Sequence, residues 1–233
     1  MSQTPHSVII RGRGLKRYYR RGIETVKALD GVDIDIHTGE MVSIVGPSGS
    51  GKTTLVNLLS CLDAPSAGEL SLDGKLLAGL AEDRLAGVRR GLLGFIFQKF
   101  HLIPTLTVAE NVELPLMFLN RPTDRKATLA VLTSVGLASR ADHRPKELSG
   151  GEMQRVAVAR ALITNPKVMI ADEPTGNLDK ATGEAIFSLL HSLVKNQGLT
   201  VIITTHNLAL AYQADRIITI EDGRIVKEER GER

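Results

Sequence analysis

The stretch MVSIVGPSGSGKTT, Met41–Thr54, is the strongest indication of the fold of this chain. Its first part, Met41–Val45, is a short and mostly apolar run that predicts a buried strand. Its second part, Gly46–Thr53, matches the phosphate-loop pattern G-x-x-x-x-G-K-[ST] in full, and a helical pattern follows over Lys52–Leu62. A strand, a loop and a helix in this order predict that the backbone N–H groups of the loop bind phosphate oxygens.

Residues within this loop have distinct expected roles. The glycines allow the backbone to curl around an anion, and the helix that begins near Lys52 adds the positive end of its dipole. We expect Lys52 to reach the β- and γ-phosphates of a nucleotide, and the Thr53 hydroxyl to bind Mg²⁺. The predicted nucleotide-binding residues of the loop are Gly46, Pro47, Ser48, Gly49, Ser50, Gly51, Lys52, Thr53 and Thr54.

Three further apolar runs predict a parallel sheet around this loop. None of them alternates clearly between apolar and polar residues, which is typical of strands covered on both faces. Helical patterns lie between the runs, and strands that alternate with helices indicate an α/β fold. The strand runs are Gly94–Gln98, Val168–Asp172 and Thr200–Thr205, and the helical patterns are Ser149–Thr164 and Thr182–Gln197.

Two other parts of the chain have a different pattern. The stretches VIIRGRGLKRYY, VDIDIHTGE and GELSLDGKLL predict short strands joined by glycine turns, and the alternation in DIDIH suits an antiparallel strand. The segment Phe100–Lys146 combines proline-containing turns with one helical pattern, DRKATLAVLTSVGL. This segment predicts a helical insertion into the parallel sheet.

Polar side chains follow the predicted parallel strands at the points where they end. Because the carboxyl ends of parallel strands meet at one edge of a sheet, we expect these side chains to converge with Thr53. Asp172 is expected to bind Mg²⁺, and Glu173 to orient or deprotonate an attacking water. Gln98 is expected to bind Mg²⁺ or that water, and His206 to sense the γ-phosphate. The plainer alternatives are that the Asp172–Glu173 pair only caps the next helix, that Gln98 is a surface residue and that His206 is structural.

A second glycine turn stands in LSGGEMQR, Leu148–Arg155. Ser149, with a glutamate three residues later, is a capping box that opens a helix, so Gly150 and Gly151 lie in the first helical turn. The alternative is a well-capped helix with no ligand. One γ-phosphate already contacted by Lys52 leaves little room for two helix N-termini of the same chain. A symmetric dimer, in which each Ser149–Gly151 turn contacts the ATP of the other chain, resolves this.

The stretch TGNLDKAT follows Glu173 closely. Asp179 in this stretch is expected to cap the next helix. We also expect Asp179 to lie beside the dimer interface and close to the nucleotide, and the two roles are compatible.

The composition limits the possible partners. The chain has 233 residues, a net charge of +3, 3% aromatic residues and no tryptophan, which does not favour nucleic-acid binding. The run Arg11–Arg21 holds six cations and no acid, and predicts either a solvated edge strand or a face near phosphates, anionic lipid or a partner.

Cys61 is the only cysteine, which suits a reducing compartment. The start MSQTPHSVII lacks the features of a signal peptide, and no apolar run is long enough to span a bilayer.

Together these motifs resemble the nucleotide-binding subunit of an ATP-binding cassette (ABC) transporter. The resemblance implies a P-loop NTPase (RecA-like) core with a parallel sheet, a small antiparallel β subdomain and an inserted α-helical subdomain. It also implies ATP and Mg²⁺ as cofactors, a head-to-tail homodimer, integral-membrane permease subunits and no nucleic acid as partner. The adenine-stacking aromatic residue of the family falls on Tyr19, with Tyr18 as the competitor. We expect one domain over 8–228 with the helical insertion at about 99–165, and flexible termini at 1–7 and 229–233.

A narrower resemblance is carried by FQKFHLIPTLTVAENVELPL and DEPTGNLD, which are similar to the lipoprotein-releasing and macrolide-efflux (LolD/MacB-like) group. This resemblance implies work on a membrane partner from the cytoplasmic face of the inner membrane: export, lipoprotein release or mechanotransmission. Phe97–Thr107 would transmit the movement, although Lys99 departs from the glutamine that is common in the group. The alternative is a regulatory or mechanical ATPase, of the cell-division or antibiotic-sensing type, that moves no cargo.

Overall fold

A computed structural model describes residues 7–22, 24–77 and 82–231. The strands are β1 (Val8–Arg21), β2 (Glu24–His37), β3 (Met41–Val45), β4 (Ala67–Leu72), β5 (Lys75–Leu76), β6 (Leu93–Phe97), β7 (Val168–Asp172), β8 (Thr200–Thr204), β9 (Arg216–Glu221) and β10 (Arg224–Arg230). The helices are α1 (Lys52–Leu59), α2 (Glu82–Arg89), α3 (Val108–Phe118), α4 (Arg125–Ser134), α5 (Gly150–Leu162), α6 (Lys180–Gln197) and α7 (Leu208–Ala211).

The larger sheet has the order β10-β9-β3-β8-β7-β6, and the predicted parallel α/β arrangement is confirmed. Every residue of β3 and β8 is buried, which explains why the sequence runs show no alternation. The register pairs Phe97 with Asp172 and Asp172 with Thr204. The carboxyl ends of three neighbouring strands therefore lie side by side.

The two faces of this sheet are covered by different parts of the chain. Met41, Val201 and Phe187 belong to a core that includes residues of α3, α5 and α6. Val42 and Ile44, which point to the opposite face, belong to a core that includes residues of α1 and the smaller sheet. The larger sheet is thus the middle layer of the fold.

The smaller sheet is antiparallel and has the order β2-β1-β4-β5. The expected edge strand at Arg11–Arg21 is wrong for its first part, because β1 pairs with β2 on one side and, up to Lys16, with β4 on the other; from Arg17 on, the register pairs it with β2. The charges of this run are largely matched by acids on neighbouring elements. The ion pairs are Arg11–Asp35, Arg13–Asp35, Lys16–Asp30 and Arg17–Asp63.

Between β6 and β7 the described chain consists of α3, α4, α5 and two short 3₁₀ turns. The sequence predicts proline-containing turns before α4. This prediction is wrong for Val108–Phe118, which forms α3 although it contains Pro115. A capping box of Thr107 and Glu110 opens this helix, and Val108 and Val112 bury one of its faces. Helix α2 was not predicted either, because Leu85 and Val88 are the only large apolar residues in its sequence.

The two ends of the chain differ from the expected boundaries. Strand β10 continues to Arg230, so the expectation of a flexible tail from residue 229 is wrong for this part. At the other end the Ser7 carbonyl accepts a hydrogen bond from the Thr38 amide. Residues 1–6 and 232–233 lie outside the described part of the chain. Among the helices described, none has the length and apolarity needed to cross a bilayer.

Candidate functional site

The loop 46–53 has the curled backbone that its glycines allow. Gly46 and Gly51 have φ angles of 151° and 106°. A Cβ atom on Gly46 would collide with the Ile220 carbonyl oxygen, and one on Gly51 would lie 2.5 Å from the Ala28 carbonyl oxygen. Strands β9 and β2 thus approach the loop so closely that only glycine fits at these two positions.

The loop and α1 form the wall of a cavity of about 330 Å³. The Lys52 ammonium donates to the carbonyls of Gly46 (2.9 Å) and Pro47 (2.8 Å), so its charge lies over the loop. Helix α1 begins after Gly51 without a side-chain cap, which leaves its N-terminal amides for an anion. The remaining lining residues include Val26, Lys27, Ala28, Thr53, Thr54, Asp222 and Gly223.

The acidic pair at the end of β7 is held by a residue that the sequence did not indicate. The Thr204 hydroxyl donates to Asp172 Oδ1 (2.6 Å) and accepts from the Glu173 amide (2.9 Å). Glu173 has a φ of 45°, which is unusual for a residue with a side chain. One hydroxyl on β8 therefore fixes the Asp172 carboxylate and the backbone that orients Glu173.

We expect Thr204→Val to lower kcat for ATP hydrolysis about 10-fold with little change in KM. Valine matches threonine in shape, but it leaves the Asp172 carboxylate without its donor and the Glu173 amide without its acceptor. Steady-state phosphate release is the measurement, and Thr204→Ser, which keeps the hydroxyl, is the matched control. A valine variant with the parental kcat would contradict this role.

His206 and Gln98 both lie at this edge of the sheet but have different contacts. His206 Nδ1 is 3.6 Å from Glu173 Oε2, and its side chain is 68% exposed. Gln98, the residue after β6, donates from Nε2 to Asn177 Oδ1 (3.4 Å). The Asn177 side chain in turn donates from Nδ2 to the backbone carbonyl of Gln98 (3.0 Å). The structure thus places His206 beside Glu173 and joins Gln98 to the turn that precedes α6.

The second glycine turn forms the predicted capping box. The Ser149 hydroxyl accepts from the Glu152 amide (3.3 Å), and the Glu152 carboxylate accepts from the Ser149 amide (2.8 Å), which lowers the pKa of Glu152. A Cβ atom on Gly151 would lie 2.5 Å from Thr182 Cγ2. The first turn of α5 therefore packs directly on the first turn of α6, which is a reason for glycine that the sequence did not reveal.

The predicted cap of α6 is confirmed. Asp179 accepts hydrogen bonds from the Thr182 amide (3.0 Å) and the Thr182 hydroxyl (2.6 Å). These bonds, with the side-chain bond first, lower the pKa of Asp179. Because Thr182 also lies against Gly151, the starts of α5 and α6 are next to each other.

Tyr19 is placed near the nucleotide cavity by the register of β1 and β2. It pairs with Val26, which lines that cavity. Its hydroxyl donates to Asp63 (2.9 Å), and the Arg17 guanidinium lies 4.8 Å from the ring centroid. Tyr18 points to the other side of the strand, where its hydroxyl donates to Asp30 (2.6 Å).

The model of the family described as "ABC transporter" matches residues 29–176, more than half of the chain. The chain belongs to the ABC transporter family. This ABC cassette is 46% identical over 228 residues to the uncharacterized ABC transporter ATP-binding protein MJ0796 of Methanocaldococcus jannaschii, and covers 97% of that protein. It is 47% identical over 224 residues, 95% of its own length, to the macrolide export ATP-binding/permease protein MacB of Sodalis glossinidius (strain morsitans).

Solved structures agree with the sequence relatives. The cassette covers 99% of the MJ0796 chain in a dimeric post-hydrolysis state bound to ADP and Pi, with a TM-score of 0.86 and 43% identity over 96% of its own length. By contrast, it spans about one third (34%) of the length of the MacB protein. The resemblance to ABC nucleotide-binding subunits, the narrower LolD/MacB-like grouping and the fold class are confirmed.

Proposed function

We propose that this ABC cassette hydrolyses Mg²⁺-bound ATP as a head-to-tail homodimer and thereby drives an integral-membrane permease. The observation that carries the proposal is the arrangement of Asp172, Glu173 and His206 at the ends of adjacent strands. Thr204 holds the first two in place by hydrogen bonds of 2.6 and 2.9 Å. Phosphate-loop ATPases use a carboxylate pair at this edge for metal binding and for water activation.

The nucleotide is expected to enter with its phosphates at the loop 46–54. Lys52 would exchange its two carbonyl contacts for the β- and γ-phosphates, because an ammonium gains more from anions than from neutral carbonyls. The Tyr19 ring, beside Val26, offers the face on which the adenine stacks. Arg17 covers one side of that ring, which leaves the other side for the base.

The candidate magnesium ligands fit the ion chemically. The Thr53 hydroxyl, the Asp172 carboxylate and the Gln98 amide oxygen are hard oxygen donors, which Mg²⁺ prefers. Of the Asp172 oxygens, Oδ1 accepts from Thr204. Bound Mg²⁺ would supply charge neutralisation on the β- and γ-phosphates.

Glu173 is the proposed general base. Its carboxylate removes a proton from the water that attacks the γ-phosphorus, and the bond to the bridging oxygen of the β-phosphate breaks. His206, 3.6 Å from that carboxylate, would contact the γ-phosphate and sense its loss.

The Ser149–Gly151 turn is proposed to contact the ATP bound by the other chain. Its capping box faces solvent and leaves the N-terminal end of α5 accessible. In support, MJ0796, whose structure matches 96% of this chain, has been solved as a dimer. Asp179, next to this turn, would lie beside the interface.

The membrane subunit is proposed to dock on the groove between α3 and the edge strand β6. This groove encloses about 640 Å³ and is lined by Leu93, Phe95, Pro115 and Phe118, and the Phe118 residue is 77% exposed. An exposed apolar groove marks an interaction site. The relatives that join an ATP-binding segment to a permease favour a permease as the partner and the cytoplasmic face of the inner membrane as the location. The second candidate, a mechanical ATPase without cargo, would use the same groove.

Binding of the full chain to inverted membrane vesicles from its native host tests this proposal. We expect Phe118→Glu to weaken saturable binding at least about 10-fold, because it removes a central apolar contact and buries a charge, while basal ATPase activity stays unchanged. Val226→Glu, on exposed β10, is the control. Equal binding of both variants would contradict the docking site, and cargo movement in the reconstituted complex would distinguish transport from mechanical work.

A further inference from the structure

The loop 60–66 connects the end of α1 to β4 and lies against the second half of β1. The Ser66 amide donates to the Lys16 carbonyl (2.7 Å), and the Tyr18 amide donates to the Ser66 hydroxyl (3.1 Å). Because the pairing of β1 with β4 ends at Lys16, the loop supplies a partner that β4 no longer provides. The part of β1 that carries Tyr19 is therefore attached to the segment that follows α1.

Asp63, in this loop, has a fixed position relative to the phosphate loop. Helix α1 begins directly after Gly51 and ends at Leu59, which corresponds to about 12 Å of helix. The amides of Leu62 and Asp63 both donate to the Asn57 carbonyl, at 2.9 and 3.1 Å, so the chain turns tightly as it leaves the helix. One short and rigid element thus joins the phosphate loop to Asp63.

Asp63 holds the ring of Tyr19 in two ways, one direct and one through Arg17. The Tyr19 hydroxyl donates to Asp63 Oδ2 (2.9 Å), and Asp63 Oδ1 pairs with the Arg17 guanidinium (2.8 Å). That guanidinium lies over the Tyr19 ring, 4.8 Å from its centroid. The hydrogen bond fixes one end of the ring and the cation covers one face, so the orientation of the other face is set as well.

The pair of Arg17 and Asp63 is a weak source of stability. The two side chains are only 25% and 23% exposed, and the desolvation of such a pair offsets much of its attraction. The Arg17 Nε atom is buried and, within the described part of the chain, has no hydrogen-bond partner. An unpaired buried donor is unfavourable, which indicates that the position of this guanidinium serves a purpose other than stability.

We propose that Arg17 and Asp63 are positioning residues that hold the Tyr19 ring at a set distance and angle from the phosphate loop, so that the base and the phosphates of one nucleotide are bound together. The inference rests on the proposed stacking of adenine on Tyr19. Because α1 begins at the phosphate loop and ends close to Asp63, the ring is in place before a nucleotide arrives. Preorganisation of this kind lowers the entropic cost of binding.

The test compares the dissociation constants of ADP and of inorganic pyrophosphate, which has phosphates but no base. ADP binding is measured by calorimetry on the full chain, and pyrophosphate binding by competition with ADP. We expect Asp63→Ala and Tyr19→Phe each to weaken ADP binding about 5-fold and to leave pyrophosphate binding unchanged. Asp142→Ala removes an exposed carboxylate that pairs with Arg125, and this matched control should bind both ligands like the parent.

Combined substitutions show whether these residues act through one contact. Tyr19→Phe and Asp63→Ala remove the two ends of the same hydrogen bond, so the double variant should also weaken ADP binding about 5-fold rather than about 25-fold. Arg17→Leu should weaken it to a similar extent, because the substitution breaks the ion pair and removes the cation from the ring.

Three results overturn the proposal. One is parental affinity for ADP in Asp63→Ala and Arg17→Leu. Another is an equal loss of ADP and pyrophosphate binding, since a contact that only stabilises the fold would affect both ligands alike. The third is losses that multiply in full in the double variant, which would show that Asp63 does not act through the Tyr19 hydroxyl.

A single fluorophore separates this inference from the proposed stacking on which it rests. The chain has no tryptophan, so Tyr19→Trp places its only indole at this position. ADP should quench the emission of that indole, and pyrophosphate should not. If ADP causes no quenching and Tyr19→Ala binds ADP like the parent, the proposed stacking fails and the inference fails with it. If ADP quenches the indole while Asp63→Ala and Arg17→Leu keep the parental affinity, only the positioning role fails.

Discussion

Glu173→Gln is expected to lower ATP turnover by about 10³-fold while ATP stays bound and the dimer stays closed. Glutamine has the size of glutamate, so the contact of the backbone amide with Thr204 is preserved. The amide cannot take a proton from the attacking water, and hydrolysis therefore stops before the γ-phosphate leaves. In the proposed dimer the γ-phosphate connects the loop of one chain to the Ser149 turn of the other, so we expect the unhydrolysed nucleotide to keep the chains together.

Two measurements check this expectation. Phosphate release gives the turnover, and light scattering after size exclusion with Mg²⁺ and ATP gives the mass of the complex. Glu184→Gln, an exposed glutamate on α6, is the matched control and should hydrolyse ATP like the parent. Turnover of Glu173→Gln near the parental rate would show that another group is the base.

Mixed dimers should reveal which chain completes each ATP site. Lys52→Ala removes the ammonium over the phosphate loop, and Ser149→Arg fills the second glycine turn with a bulky cation. Each variant alone should fall below about one hundredth of the parental rate. When the two are mixed, a head-to-tail dimer has one site with both defects and one intact site, so activity should return in part.

The return of activity should follow the fraction of mixed dimers. Titration of one variant against a fixed amount of the other should give the highest rate near equal amounts. If each chain instead completes its own site, every chain in the mixture carries one defect. The mixture would then stay as inactive as the separate variants, and the shared site would be excluded.

The parts of the site that could be predicted from the sequence are those that depend on local pattern. The phosphate loop is a contiguous motif, and Asp172 and Gln98 stand at the ends of apolar runs whose parallel pairing follows from the alternation with helices. The strand ends were placed within one residue, because Gln98 and Thr205 lie just beyond β6 and β8.

The parts that were missed depend on contacts between distant segments. Thr204 was overlooked because its partner Asp172 is 32 residues away, and a threonine at a strand end has no distinctive pattern. The interior position of β1 depends on pairing with two other strands, which composition does not reveal. Helix α3 differs, because Thr107 and Glu110 form a capping box that is visible in the sequence, and Pro115 lies inside the helix although proline is more typical of turns.

The close approach of Ile220 to Gly46 has a consequence for how the chain matures on the ribosome. The hairpin of β9 and β10 forms one wall of the phosphate loop, and the Gly223 amide donates to the Ser50 carbonyl (2.9 Å). Synthesis proceeds from the N-terminus, so the loop is made early, whereas its wall emerges only after β3, β6, β7 and β8 have been made. A nascent chain therefore gains no stability from nucleotide until this hairpin has emerged, and truncation in this hairpin should abolish ATP binding even though every motif residue is present.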